Sequence, residues 1–309
     1  SQMVGNYEFN TPIPVFNPSN PSDEVWRALN PLARALAWVT VGLRQEILGE
    51  QDEASQAFAR AVELAPDSDV IHYFVGQEAF YTTQRDPNEP DETLAAAEAA
   101  FTESLRLNPE NARARIGLGS VHFLRAQRLL NDIRNDAAGP DRDADLEEVG
   151  TEARAALDSY TLVAAQPEQT DIYGVPVAGM ARVGQGISLR LLAEVAFEQG
   201  DMQAAETHID EAIAALEDEI ELLDTPNDPR LPAQAYQALG SFYEWKAFLL
   251  DARGAAAAGA ESRAIALDYY NACVEQGEAF RFDTYLLERI VKQLCVPRIE
   301  VLQAPAGGG

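Results

Sequence analysis

The hydrophobic pattern of this chain keeps a helical period over most of its length. In "GEQDEASQAFARAVELAPDS", residues 49–68, the apolar and small positions Ala54, Ala57, Phe58, Ala61, Val62 and Leu64 fall on one helical stripe. The stretch opens on Gly49 and closes on Pro66, the expected punctuation of a helix between two turns. No stretch alternates apolar and polar residues with β-branched enrichment, so almost no sheet is expected. The start of the chain differs. Residues 1–20 carry Tyr7, Phe9, Ile13, Val15 and Phe16 among prolines and read as an extended arm. Asn20-Pro21-Ser22-Asp23 has the form of a helix start, and Asn30-Pro31 repeats it. A short helix over 21–34, leading into a second one, is therefore expected.

The small–large–small spacing of Ala54, Phe58 and Ala61 recurs. It returns at Ala97, Phe101 and Ser104; at Ala156, Tyr160 and Val163; at Ala205, Ile209 and Ala212; and at Ala266, Tyr270 and Cys273. Each set follows a helix bearing an apolar–small pair: Val41-Gly42, Val75-Gly76, Leu118-Gly119, Leu192-Ala193 and Leu239-Gly240. A fixed period of this kind marks a helical repeat. Residues 35–68, with Trp38, Val41, Gly42, Ala54, Phe58, Ala61 and Pro66, resemble a tetratricopeptide repeat, a helix–turn–helix unit of about 34 residues. Gln45 stands where that pattern has tyrosine. The resemblance runs through residues 35–296 and is weakest in the third unit. Inserted loops are expected at "TQRDPNEPD", in an acidic stretch before "TEARAALDSYTLVAAQP", and at "RGAAAAGAES". The resemblance implies an all-α fold, a right-handed α-solenoid of about five units. A capping helix in "RFDTYLLERIVKQLCVP" would close the array, and a disordered tail is expected over 297–309.

In this family the first helix of each unit lines the concave side, where partners bind. The register then turns Val39, Leu43 and Glu46 inward in the first unit, and Tyr73, Gln77, Phe80 and Tyr81 in the second. It turns Arg113, Ile116, Ser120 and Phe123 inward in the third, Arg190, Glu194 and Phe197 in the fourth, and Gln237, Ser241, Glu244 and Trp245 in the fifth. Aromatics and arginine dominate binding energy at interfaces, so a protein or peptide ligand is the expected partner. The competing reading has Phe80, Phe123 and Phe197 packing between neighbouring helices. Relatives that grip acidic chaperone tails use a Lys/Asn/Arg clamp. The matching positions here hold Val39, Leu43, Tyr73, Gln77 and Ile116, so that activity is not expected.

Composition narrows the partners. The chain has 309 residues and a net charge of −27, with 50 acidic against 23 basic side chains. Such a field repels a phosphate backbone or an anionic bilayer, so neither nucleic acid nor membrane insertion is expected. No apolar run is long enough to span a bilayer, and no signal peptide opens the sequence. The compartment stays open: cytoplasmic, or extracytoplasmic if an upstream signal or anchor has been removed. The arm over 1–20 offers a route to self-association.

Candidate chemistry is sparse. His72, His122 and His208 stand in no paired metal spacing. No glycine-rich phosphate loop, GxSxG elbow or Cys/His pairing occurs, so no catalytic residue and no cofactor is expected. Asp141, Asp143, Asp145 and Glu152 match calcium-loop positions one, three, five and twelve. Leu146 replaces the glycine that the sharp turn needs, so a solvated acidic loop is the favoured reading and calcium the weaker one. An extracytoplasmic small-ligand or calcium-dependent module, using the aromatic concavity and the acidic loops, is the alternative to a binding scaffold. The two cysteines, Cys273 and Cys295, lie 7 and 15 residues from a hairpin bend placed at residue 280. That offset is about 12 Å along a helix, against roughly 7 Å between the Cα atoms of a disulfide, so two free thiols are expected.

Overall fold

The computed structural model describes residues 23–85, 91–135, 141–166, 177–218, 220, 230–280, 283 and 286–304. The arm over 1–20 lies outside them, as does most of the loop within "TQRDPNEPD". The chain is all-α, and no strand occurs among the described residues. Helices follow one another in pairs: α1 (Asp23–Leu48) with α2 (Gln51–Leu64), α3 (Asp69–Arg85) with α4 (Asp91–Leu107), α5 (Ala112–Arg134) with α6 (Arg142–Ala164), α7 (Val177–Glu198) with α8 (Met202–Glu217), and α9 (Arg230–Ala252) with α10 (Ala256–Ala279). A π-helix over Leu286–Cys295 and α11 (Val296–Gln303) end the described chain. Packing divides the chain into two compact units, the first running to Val121 and the second from His122.

All fifteen small–large–small positions are buried, from Ala54, Phe58 and Ala61 to Ala266, Tyr270 and Cys273. The reason is steric. In the first unit the Phe58 ring lies on Gly42, and Phe101 lies on Gly76 and Gly117. In the second unit Tyr160 lies on Gly184, Phe242 on Gly186 and Tyr270 on Gly240. A ring on one helix fills the notch left by a missing side chain on the next, which lets the backbones approach closely. Where the large residue is Ile209 rather than an aromatic, the facing helix carries Ala193, and both are buried in one cluster.

Three hairpins share one turn. Gly49, Gly200 and Gly254 have φ of 80°, 81° and 85°. In each, the next residue's N–H reaches back five positions: Glu50 to Gln45 (2.9 Å), Asp201 to Ala196 (2.8 Å) and Ala255 to Leu250 (2.8 Å). This is the left-handed glycine cap that satisfies orphan carbonyls at a helix C-terminus. Asp201 then caps α8, accepting from the Ala204 N–H at 3.0 Å.

Several expectations are corrected. α1 runs through Pro31 rather than restarting there. Pro31 is exposed, so water can serve the carbonyl left without its N–H partner. The acidic stretch over 141–152 is helix, not loop: Asp141 is the N-cap of α6, accepting from the Ala144 N–H at 3.2 Å. The "RGAAAAGAES" insertion is helical from Ala256, as alanine's helix propensity favours. The segment expected as a disordered tail is helical to Gln303.

The largest correction concerns the cysteines, which are not free. Cys273 and Cys295 form a disulfide with Cα atoms 6.5 Å apart. The bend is broader than a turn at residue 280: α10 ends at Ala279 and the π-helix begins at Leu286. The midpoint between the cysteines is residue 284, inside that connection, so the two sulfurs meet.

Candidate functional site

Of the side chains expected to face inward, Phe197 on α7 and Trp245 on α9 come together. Phe197 meets Trp245 edge-on, with ring centroids 6.1 Å apart. Phe248, one turn beyond Trp245, touches both rings at 5.0 Å and 5.2 Å. Phe248 is 47% exposed, so this edge-to-face cluster opens to solvent. Phe248 was missed in the sequence. Its signal was the i, i+3 spacing from Trp245, which places both on one helix face.

Beside Phe197 on α7 stands Glu194, a carboxylate only 4% exposed. It accepts from Arg190, one turn earlier, and from Arg134 at 2.7 Å. Arg134 also donates to Glu198 at 3.0 Å, and Glu198 accepts from Arg142 at 2.6 Å. The result is an alternating chain, Arg190–Glu194–Arg134–Glu198–Arg142, with a guanidinium at both ends. Within this chain three cations face two anions, and Asp141, Asp143 and Asp145 flank Arg142 in the first turn of α6. Burial alone would lower the Arg134 pKa; Glu194 and Glu198 outweigh it and hold it above the ordinary arginine value.

The other expected positions with described side chains are buried or half-buried, except Tyr81, which is 40% exposed. In the first unit, Tyr73 is buried, its ring 5.3 Å from Phe74 and 6.2 Å from Phe101. Gln77 donates to the Tyr81 hydroxyl at 3.1 Å, and the rings of Phe80 and Tyr81 lie 6.5 Å apart. Val39 is core, Leu43 packs against the same cluster, and Arg113 and Ile116 are half-buried. Ser120 donates back to the Ile116 carbonyl at 2.9 Å. The Glu46 side chain lies outside the described set. In the second unit, Phe123 packs against the cluster around Leu130 and Leu146, and Gln237 is half-buried. Ser241 donates to the Ala238 carbonyl at 2.7 Å. Glu244 accepts from the Tyr270 hydroxyl at 2.6 Å and pairs with Arg298.

The calcium-like residues do not converge. A helix rises about 1.5 Å per residue, so Asp141 and Glu152 stand roughly 16 Å apart along α6. Glu152 is instead occupied by His122 at 2.6 Å and Arg125 at 3.1 Å. His72 meets the Pro66 carbonyl at 2.7 Å, and His208 lies 3.3 Å from Glu211. Among the described residues, no three His, Cys, Asp or Glu side chains are placed to hold a metal. No described helix is long and apolar enough to cross a membrane.

No family model matches the sequence, and no curated protein matches it. Among solved structures the chain is similar to a thermophilic TPR protein of Thermus thermophilus. Identity is 16%, the match covers 85% of this chain and 96% of that one, and the TM-score is 0.39.

Proposed function

We propose that this chain is a tetratricopeptide-like, non-catalytic scaffold that binds a protein or peptide segment where α7 and α9 present Phe197, Trp245 and Phe248. The observation that carries this reading is the half-open aromatic cluster held beside an ion chain ending in arginines. Partly exposed aromatic rings supply large apolar contact at low entropic cost. Arg190, two helical turns before Phe197 on α7, and Arg134 on α5 are both held by Glu194 and supply guanidinium donors. The matching ligand carries an apolar or aromatic side chain and a carboxylate a few residues away. Selection from a phage-displayed random peptide library tests this. Enriched peptides should lose binding with Phe248→Ala and weaken with rising salt. Failure to enrich any peptide, or binding indifferent to Phe248→Ala, sinks the proposal.

The Cys273–Cys295 disulfide supports an oxidising compartment for this scaffold. That favours the extracytoplasmic part of the alternative reading, while the helical course of residues 142–152 argues against the calcium part.

A further inference from the structure

Among the described residues, one side of the first hairpin is uncovered. Trp38 and Val41 on α1 are 39% and 43% exposed, and with Gln45, Glu53, Gln56 and Arg60 they line an open groove between α1 and α2. The register explains why this side is unusual. Val75 and Ile71 stand one repeat length after Val41 and Ala37, and both pack onto the cluster of Ala54, Phe58 and Ala61 in the preceding hairpin. Among the described residues no helix pair stands before the equivalent face of the first hairpin, and a face of this kind in a stacked array is stabilised by being covered.

We propose that residues 9–16 of this chain, "FNTPIPVF", lie in the Trp38–Val41 groove and cap the first hairpin. Reach permits it. Trp38 is fifteen residues into α1, about 22 Å along the axis from Asp23. The seven residues from Phe16 to Asp23 span roughly 23 Å when extended, so Phe16 reaches Trp38 and Ile13 reaches the Gln45 end. Chemistry matches as well. Pro12 and Pro14 favour an extended chain whose carbonyls have no internal partners. Such segments dock on grooves that combine an aromatic face with side-chain donors, here Trp38 with the Gln45 and Gln56 amides. Charge agrees too: residues 1–20 hold one charged side chain, Glu8, so the segment avoids the repulsion that the acidic body exerts on other anionic chain.

The test uses the full chain, a variant lacking residues 1–20, and Val41→Glu in both. Deletion should lower Tm, Val41→Glu should lower it comparably, and the combination should cost no more than either alone. In a Trp26→Phe/Trp245→Phe background, Trp38 emission should shift to the red on deletion. A synthetic peptide of residues 1–20 should restore it in the truncated protein, and not in the truncated Val41→Glu variant. Additive Tm losses, or emission indifferent to deletion and peptide, overturn the proposal. So does a concentration-dependent dimer that deletion converts to monomer, since the segment would then cap a second copy.

Discussion

Phe58 lies so close over Gly42 that a Cβ on residue 42 would come within 2.9 Å of the ring carbons Cε2 and Cζ. Two effects oppose each other in Gly42→Ala. Helix propensity favours alanine by about 1 kcal/mol. Overpacking a well-filled core costs about 1–3 kcal/mol, and here the clash falls on a stiff ring that is 1% exposed. Net destabilisation of about 1 kcal/mol is expected in urea denaturation. Adding Phe58→Ile should recover part of it, because Ala193 and Ile209 already form that pairing in the second unit. A Gly42→Ala variant more stable than the parent would refute the ring-on-glycine account.

That contact was legible because both partners carry sequence signals: a glycine inside a helix, and an aromatic between two small residues. The repeat register put Phe197 and Trp245 on the inward side of successive units, and their rings touch. It failed for Tyr73, since helical spacing cannot separate a ring that lines a face from one that packs beneath it. The 141–152 stretch misled for another reason. Acidic residues report exposure, and an exposed helix face is as acidic as a loop. Only Asp141, an N-cap residue three positions before Ala144, marked the helix start. Arg134 and Glu198 could not be paired from sequence, because 64 residues separate them and only tertiary packing brings them together.

The disulfide gives a second prediction. Cys273 and Cys295 are both fully buried and close a loop with a sequence separation of 22. Removing a cross-link of this kind costs about 2–4 kcal/mol, largely through the unfolded chain. Cys295→Ala should lower stability by that amount and raise hydrogen exchange across 286–303. The protein unfolded in guanidinium chloride without reductant should show no thiol titrating with Ellman's reagent. Two titrating thiols would return the cysteines to the free state that the offset argument gave.

Glu194 should matter far more than an exposed partner of the same chemistry. It is buried and joins Arg134 to Arg190, whereas Glu288 pairs with Lys292 at 2.7 Å with both side chains more than half exposed. Breaking a buried pair by removing one partner costs about 3–5 kcal/mol, at the lower end here because Arg134 stays partly hydrated. Exposed i, i+4 pairs contribute about 0.3–0.5 kcal/mol. Glu194→Ala should thus shift the denaturation midpoint several-fold more than Glu288→Ala. Equal shifts would mean that the ion chain does not hold α5 against α7.

Alkaline pH probes the carboxylate–phenol contacts. Burial first, and then the bond to Glu244, push the Tyr270 phenol well above its ordinary value of 10.0; burial and Glu217 do the same to Tyr243 and Tyr269. A phenol with a raised folded pKa adds stability that is fully present below the unfolded value. That stability is lost as pH climbs from about 10 through the folded value. The sign follows because the unfolded chain releases those protons first. Tyr270→Phe should therefore be less stable than the parent at pH 8, by about 1 kcal/mol for the lost hydrogen bond, with the gap narrowing above about pH 10. Phenolate absorbance gives the direct check. In the folded protein between about pH 10 and 11, Tyr270→Phe should leave the titration curve unchanged. In the unfolded chain it should remove one of 10 equal contributions. A folded-state curve that loses amplitude with the substitution would place the Tyr270 hydroxyl in water rather than on Glu244.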